Sequence, residues 1–524
     1  MTVPEEARVA AIDNRLAAAA NPLRSIARGS VWTIATRWCL RGIGLINTVV
    51  LARLLSPGDF GIVAMAIVAW GFVQVFSDTG QTLAVIRHPD PTRGHFDTAW
   101  TMSVVTGVIV ALILVAVAPL AGQYFHEPRV VPIIRFIALA PLIEGFANVG
   151  AVAGFRRSLQ FHKDFSVSVI SKFSTVVMAV LLALVWRNYW VLAIAIVCGR
   201  IAMVIASYCM ASYRPRFRLT KWRELWSYSV WIQIAAIGQF VSEQTDQVIV
   251  GRLVGAFEMG AYNVAADLAA APTEELVIPI ARATFPVYAT LVHEPARLAQ
   301  SYLSVLSLTA VIGLSAGFGV ALVARDLVTV VLGAKWLAAA PLISWLAVSG
   351  GLLGVARSVN AVLTVTGNAR LNAMRFWAFA ALLIPAAIGG GLGWGAEGVA
   401  AARTVVTAMF VPIMFYSLTR VIPVAWRDIV SCIWRPGLAV IAMVVAISAL
   451  RMEMPPTVIL RLFCTIVLGA AAFTISLLLF WFCAGRPPGA ERMALERVRG
   501  AVRAIRTRIK RLRVSRVLPL KIPR

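Results

Sequence analysis

Two stretches decide the fold: Arg53-Leu-Leu-Ser-Pro-Gly-Asp-Phe-Gly61 and Arg252-Leu-Val-Gly-Ala-Phe-Glu-Met-Gly260. They align without a gap at an offset of 199 residues. Arg53, Leu54 and Gly61 recur as Arg252, Leu253 and Gly260, and Asp59 recurs as Glu258. Val63-Ala-Met-Ala66 then continues as Tyr262-Asn-Val-Ala265. Each stretch joins two long apolar runs. A short turn between long helices needs glycine where the chain bends. An arginine followed six residues later by a carboxylate can close an ion pair across the turn. The loops are therefore read as structural pins in two copies of one larger unit.

The surrounding composition places that unit in a membrane. Of 524 residues, 60% are apolar and only 14% are charged, with a mean hydropathy of +0.81. A soluble domain is roughly 45–50% apolar and about 25% charged, so soluble, disordered and disulfide-rich classes are excluded. A spanning helix needs about 20 mostly apolar residues. Fourteen segments qualify: 29–53, 60–83, 98–124, 130–154, 165–186, 190–212, 228–251, 259–281, 301–324, 338–364, 374–394, 397–419, 436–450 and 459–483. The segment 436–450 is short unless it extends back past Pro436, and Leu327–Trp336 is too short to span and is assigned to the interface. The repeats lie six helices apart, an even number, so both copies have one orientation, as in parallel-repeat transporters.

The fold class is thus all-α and polytopic, with about 14 transmembrane helices. Two six-helix lobes are related by a parallel repeat, and two further helices follow. The expected divisions are a segment 1–28, an N-lobe 29–212, a basic linker 213–227, a C-lobe 228–420, helices 13 and 14 within 421–484, and a tail 485–524.

Charge fixes the orientation. The net charge is +25, from 49 Lys and Arg against 24 Asp and Glu. With the N-terminus in the cytoplasm, 34 basic residues fall on cytoplasmic segments and 7 on the opposite loops. This follows the positive-inside rule and puts both termini in the cytoplasm. The charge is topological and is not a nucleic-acid footprint. In the tail, Leu495, Val498, Val502, Ile505, Ile509 and Leu512 recur at helical steps among 13 basic residues. That pattern is a basic amphipathic helix suited to anionic inner-leaflet lipids. The six cysteines form no C-x-x-C, so neither a metal site nor a disulfide framework is expected.

No loop is long enough for a folded domain, so function must lie within the bundle. Ionisable residues inside a bilayer are functional candidates by default. The basic candidates for substrate binding are Arg37, Arg41, Arg135, Lys172, Arg200 and Arg357. Arg403 and Arg461 lie near helix ends and are expected to snorkel. The acidic candidates for ion coupling or cavity polarity are Asp78, Glu144, Glu243, Asp246 and Asp267, with Glu274 and Glu275 nearby. Gln239, Glu243, Asp246 and Gln247 form a polar stripe, and Arg37 and Arg41 share one helix face. So many charges cannot face lipid, and a shared hydrated cavity is expected. No catalytic constellation, cofactor motif or Walker A sequence is present.

These residues resemble a family. Leu51-Ala-Arg-Leu-Leu-Ser-Pro-Gly-Asp-Phe-Gly-Ile-Val-Ala-Met-Ala66 looks like the opening signature of bacterial polysaccharide exporters. Phe76-Ser-Asp-Thr-Gly80, Ala84-Val-Ile-Arg87, Thr245 through Gly255, Gly260 through Ala265 and Ala281-Arg-Ala-Thr-Phe-Pro-Val-Tyr288 match as well. Together they resemble the Wzx-like flippases of the multidrug/oligosaccharidyl-lipid/polysaccharide exporter superfamily. The resemblance runs from residue 30 to about 420 and is absent in the tail. It implies two six-helix lobes around a V-shaped cavity in the bacterial inner membrane. It also implies flipping of an oligosaccharide on undecaprenyl pyrophosphate by alternating access, for lipopolysaccharide, capsule or exopolysaccharide synthesis. Cavity arginines would hold the pyrophosphate, and other polysaccharide-assembly proteins would be partners. The competing readings are a cation-coupled drug or metabolite exporter on the same fold and a membrane-embedded polysaccharide polymerase.

Overall fold

The computed structural model describes residues 22–77, 85, 88, 91–149, 154–155, 160–222, 230–450 and 455–486. Asp78 and the expected tail helix lie outside the described residues. Among those described, every regular element is helical. In order they are α1 (Pro22–Leu54), α2 (Pro57–Ser77), α3 (Arg93–Tyr124), α4 (Val130–Ile137), α5 (Leu139–Gly145), α6 (Phe161–Trp186) and α7 (Trp190–Cys209). Then follow α8 (Val230–Leu253), α9 (Ala256–Leu291), α10 (Pro295–Val331), a 3₁₀ turn (Ala334–Trp336), α11 (Ala339–Ala356), α12 (Ser358–Val365), α13 (Ala369–Thr419), α14 (Trp426–Leu450) and α15 (Val458–Cys483).

Among the described residues, nine spans are long and apolar enough to cross a membrane by length and composition. The long helices outside that set are α1, α8 and α9. They are the helices that carry Arg37 and Arg41, Glu243 and Asp246, and Asp267, Glu274 and Glu275.

The structure refines several of the expected segments. The segment 130–154 is interrupted after Ile137. Pro141 has no N–H to offer the Ile137 carbonyl four residues earlier, and its ring crowds that group. The thirteenth segment does run back past Pro436, so α14 begins at Trp426. Leu327–Val331 is the end of the long helix α10, and only Ala334–Trp336 forms a separate turn. The 51-residue α13 contains two helices joined at Trp394 and Gly395. Gly395 takes φ +60, a left-handed conformation that glycine adopts without a Cβ clash.

The chain divides into two compact units. One comprises residues 1–269, 324–346 and 368–406, and the other 270–323, 347–367 and 407–524. In the first, α1 packs on α6 and α6 on α7 through Leu51, Leu55, Ala179, Ala183, Val191 and Ala195. Small residues let helix backbones approach closely where lipid removes the hydrophobic drive for association. In the second, α14 packs on α15, where Gly469 lies beneath Met443 and Ile447.

The repeated loops meet within the first unit. A Cβ at position 61 would overlap the carbonyl oxygen of Ala256, and one at position 260 would overlap that of Pro57. Ala256 is the repeat counterpart of Pro57, so each contact becomes the other when the two copies are exchanged. Such reciprocity is the signature of a local two-fold. The N-terminus of α2 is closed by a capping box: Asp59 accepts from the Ser56 N–H at 3.0 Å and hydroxyl at 2.5 Å. Ser56 Oγ accepts from the Asp59 N–H at 3.3 Å, and Pro57 occupies the first helical position.

The expected Arg53–Asp59 pin is replaced by contacts of longer range. Arg53 donates to the Val330 and Val331 carbonyls at 2.6 and 3.4 Å, at the C-terminus of α10. Lys335 returns the favour at the end of α1, donating to the Arg53 and Leu55 carbonyls at 2.9 and 2.7 Å. Trp336 Nε1 donates to the Ala52 carbonyl at 2.8 Å. In the other copy, Arg252 pairs with His126 at 2.6 Å and lies over the Tyr124 ring at 5.5 Å, at the end of α3. No ion pair joins Arg252 to Glu258 among the described residues. Helix C-termini leave carbonyls unsatisfied and carry partial negative charge. An arginine reaching across to such an end is thus better placed than one folded onto a nearby carboxylate that already caps a helix.

Gly61→Ala and Gly260→Ala are each expected to lower stability by about 1–3 kcal/mol through backbone displacement. This would be read as a lower melting temperature of the detergent-purified chain. Gly58→Ala, whose Cβ would meet only Ser56 Oγ at 3.8 Å, should melt unchanged.

Candidate functional site

The first unit gathers three of the basic candidates. Arg41, midway along α1, donates to the Asp267 carbonyl of α9 at 2.7 Å. Lys172 of α6 extends its ammonium over Gly44, whose Cβ position lies 3.8 Å from Nζ. It is within electrostatic reach of Asp267, Arg41 and Arg200. Arg200 of α7 pairs with Glu144 of α5 at 3.3 Å, and its guanidinium lies 5.4 Å from the Trp70 ring centre. The Arg200 and Glu144 side chains are each about one-third exposed (32% and 35%). Among the described residues, three cations thus converge with the carboxylates of Glu144 and Asp267. Arg37 sits half-buried one turn before Arg41 on α1.

Local structure explains the convergence. Positions 37, 41 and 44 follow helical steps and fall on one side of α1. Glycine at 44 leaves room for the Lys172 stem. Trp70 offers Arg200 an aromatic face, a contact of about 0.5–2 kcal/mol for a cation that stays partly exposed.

A second ionic centre lies deeper in the same unit. Asp246 of α8 is 3% exposed. It pairs with Arg403 of α13 at 2.7 Å and accepts from the Tyr262 hydroxyl at 2.7 Å. Arg403 does not snorkel: its side chain is 14% exposed, turned inward onto the carboxylate. Arg403 neutralises Asp246 internally and removes it from the open acidic residues. Glu243, one turn earlier, is exposed and accepts from Gln239 at 2.9 Å.

The remaining candidates stand apart. Arg135 is exposed on α4, and no contact joins it to the cluster among the described residues. Arg357, between α11 and α12, belongs to the second unit and pairs there with Glu274 at 3.2 Å. Arg53, Asp59, Gly61, Arg252 and Gly260 make the loop contacts described above, and Glu258 lies in the first turn of α9. Sequence reading missed Trp70, Tyr262 and the role of Arg403. An arginine in an apolar segment was a signal for Arg403, but no local spacing pointed to its partner.

Comparison with known proteins agrees with this architecture. The profile of the family described as Polysaccharide biosynthesis protein matches residues 50–341. The lipopolysaccharide biosynthesis protein WzxC of Escherichia coli (strain K12) is 23% identical over 418 residues, covering 78% of this chain and 84% of that protein. The succinoglycan biosynthesis transport protein ExoT of Rhizobium meliloti (strain 1021) is 25% identical, covering 71% and 75%. Among solved structures, the lipid II flippase MurJ in an inward closed conformation is similar with a TM-score of 0.69 at 12% identity, covering 87% of this chain and 100% of that one. An inward-facing multidrug resistance MATE family transporter gives a TM-score of 0.59 at 12% identity, covering 72% and 94%.

Breaking a buried ion pair from one side typically costs about 3–5 kcal/mol, because it strands a charge. Arg403→Met is expected to destabilise by that amount. The triple replacement Asp246→Leu, Tyr262→Phe, Arg403→Met should recover most of the loss. Thermal unfolding of purified variants checks both outcomes.

Proposed function

This chain belongs to the polysaccharide biosynthesis protein family, and from that premise we propose that it flips a lipid-linked oligosaccharide across the bacterial inner membrane. The substrate class is an oligosaccharide on undecaprenyl pyrophosphate. The observation that carries the reading is the convergence of the cations Arg41, Lys172 and Arg200 within one unit, with Arg200 about one-third exposed. A pyrophosphate leaving water loses strong hydration, and guanidinium forks replace it with charge-assisted hydrogen bonds. In a medium of low dielectric these interactions exceed their strength in water. Glu144 and Asp267 hold the basic groups in place until the anion arrives.

The mechanism is alternating access. The head group enters between the proposed lobes, 29–212 and 228–420, while the polyprenyl tail stays in the bilayer. Rocking of the lobes about the fixed site then exposes it to the other face. Both termini lie in the cytoplasm, and the tail 485–524 engages anionic lipids of the inner leaflet. Coupling to an ion gradient would draw on Glu144, Glu243 or Asp267, since Arg403 already occupies Asp246.

A cation exporter of the same fold would need a site with an acidic surplus, and the sign of this cluster disfavours it. The names of WzxC and ExoT, polysaccharide biosynthesis proteins both, support the substrate class.

Arg41→Gln and Arg200→Gln are each expected to slow flipping by roughly tenfold or more, from the loss of a charge-assisted hydrogen bond of about 1.5–3 kcal/mol. The measurement is protection of lipid-linked oligosaccharide from an impermeant reagent in proteoliposomes. Full activity with Arg41, Lys172 and Arg200 all replaced would sink the reading.

A further inference from the structure

The segment that leaves α7 forms neither helix nor strand over residues 211–219, yet it is firmly seated on α3. Asp97, 1% exposed, accepts from the Tyr213 hydroxyl and from the Arg216 N–H at 3.1 Å. Thr101 Oγ1 accepts from the Arg218 N–H at 3.0 Å, and Thr98 Oγ1 from the Lys221 N–H at 3.3 Å. Asn148 Nδ2 donates to the Tyr213 carbonyl at 2.9 Å. Burial and the neighbouring Asp97 carboxylate push the Tyr213 hydroxyl up, so it remains protonated and donates. The Tyr213 ring packs on Phe96 and the Phe217 ring on Trp100.

These attachments sort the side chains. Tyr213 faces α3, the Phe217 ring touches Trp100 while remaining largely exposed, and Arg214, Arg216 and Arg218 are exposed. Arg214 turns back onto the Tyr208 and Ala211 carbonyls at 3.2 and 2.6 Å. Arg216 and Arg218 have no side-chain partner among the described residues. Arg93, 61% exposed, adds a third guanidinium, which also lies 3.9 Å from the Asp97 carboxylate and donates to the Arg214 carbonyl at 3.4 Å. Phe217, Leu219 and Trp222 are exposed between and beyond the arginines.

We propose that this strap is a docking surface for the phosphate head groups of anionic membrane lipids. Placing that leaflet on the cytoplasmic side rests on the orientation proposed above. Two observations select a lipid over a soluble anion. The strap follows a spanning helix directly, which puts it at the bilayer surface, and its cations are interleaved with apolar side chains suited to the headgroup boundary. A soluble phosphate would not engage Leu219 or Trp222. The fixed backbone also means that little ordering entropy is lost on binding.

The test places a photocrosslinking amino acid at position 219 of the full chain, in vesicles of phosphatidylethanolamine with phosphatidylglycerol as the minor lipid. Crosslinks should favour phosphatidylglycerol severalfold over its share. Arg216→Gln with Arg218→Gln should abolish that preference at an unchanged melting temperature, while the paired Arg→Lys variant keeps most of it. Inorganic pyrophosphate should leave the preference intact. Crosslinking in proportion to composition, a preference unchanged in the Gln variant, or its loss to pyrophosphate would each overturn the proposal. Flipping is not the readout, so failure here is distinguishable from failure of the transport reading.

Discussion

Hydrocarbon offers no water to a charge, so every ionised group carried into the bilayer must meet a compensating group from the protein. This constraint organises the helices that bear charge. Arg403 meets Asp246 and Tyr262. Arg200 meets Glu144 and the Trp70 face. Arg41 meets a backbone carbonyl. The arrangements differ in what they leave over. The Asp246 centre closes a buried pair with Arg403, whereas the Arg41, Lys172 and Arg200 cluster is partly exposed. A closed pair is a structural tie; the partly exposed cluster is the proposed place for an anion.

The same accounting applies to backbone. Each helix C-terminus presents carbonyls with no intrahelical donor, and the repeated loops supply donors in trans. Arg53 and Lys335 cap each other's helix ends, and Arg252 meets the His126 imidazole and the Tyr124 ring at the end of α3. Gly61 and Gly260 then let the two loops touch backbone to backbone. Repeated sequence has become repeated contact, because each copy fastens to an element of the other.

Helix positions were legible in the sequence because hydropathy is a local property, and a bilayer demands a run of fixed length. That is why the two halves of α13 fall near the expected segments 374–394 and 397–419. Interruptions were less legible: Pro141 and Pro436 look alike in sequence, yet one coincides with a break and the other lies inside a continuous helix. Partners were least legible. The six-residue spacing of Arg53 and Asp59 suggested a pair, but each found a better partner, one in a helix end distant in sequence and the other in its own cap. Residue type and burial can be inferred from one helix; pairing depends on which helices meet.

The surplus sign also separates functions that the fold leaves open. A TM-score of 0.69 to a lipid flippase and 0.59 to a multidrug transporter describe shared architecture at 12% identity, and one architecture hosts unrelated substrates. Selectivity must then come from the charges that remain after internal pairing. Had Arg403 been uncharged, Asp246 would add a buried carboxylate to the interior and favour a cation. With Arg403 present, that carboxylate is paired internally, and the proposed anion site lies with Arg41, Lys172 and Arg200. On the proposed function, an arginine far along the chain from the cluster contributes to the preference for an anion by pairing a buried carboxylate internally.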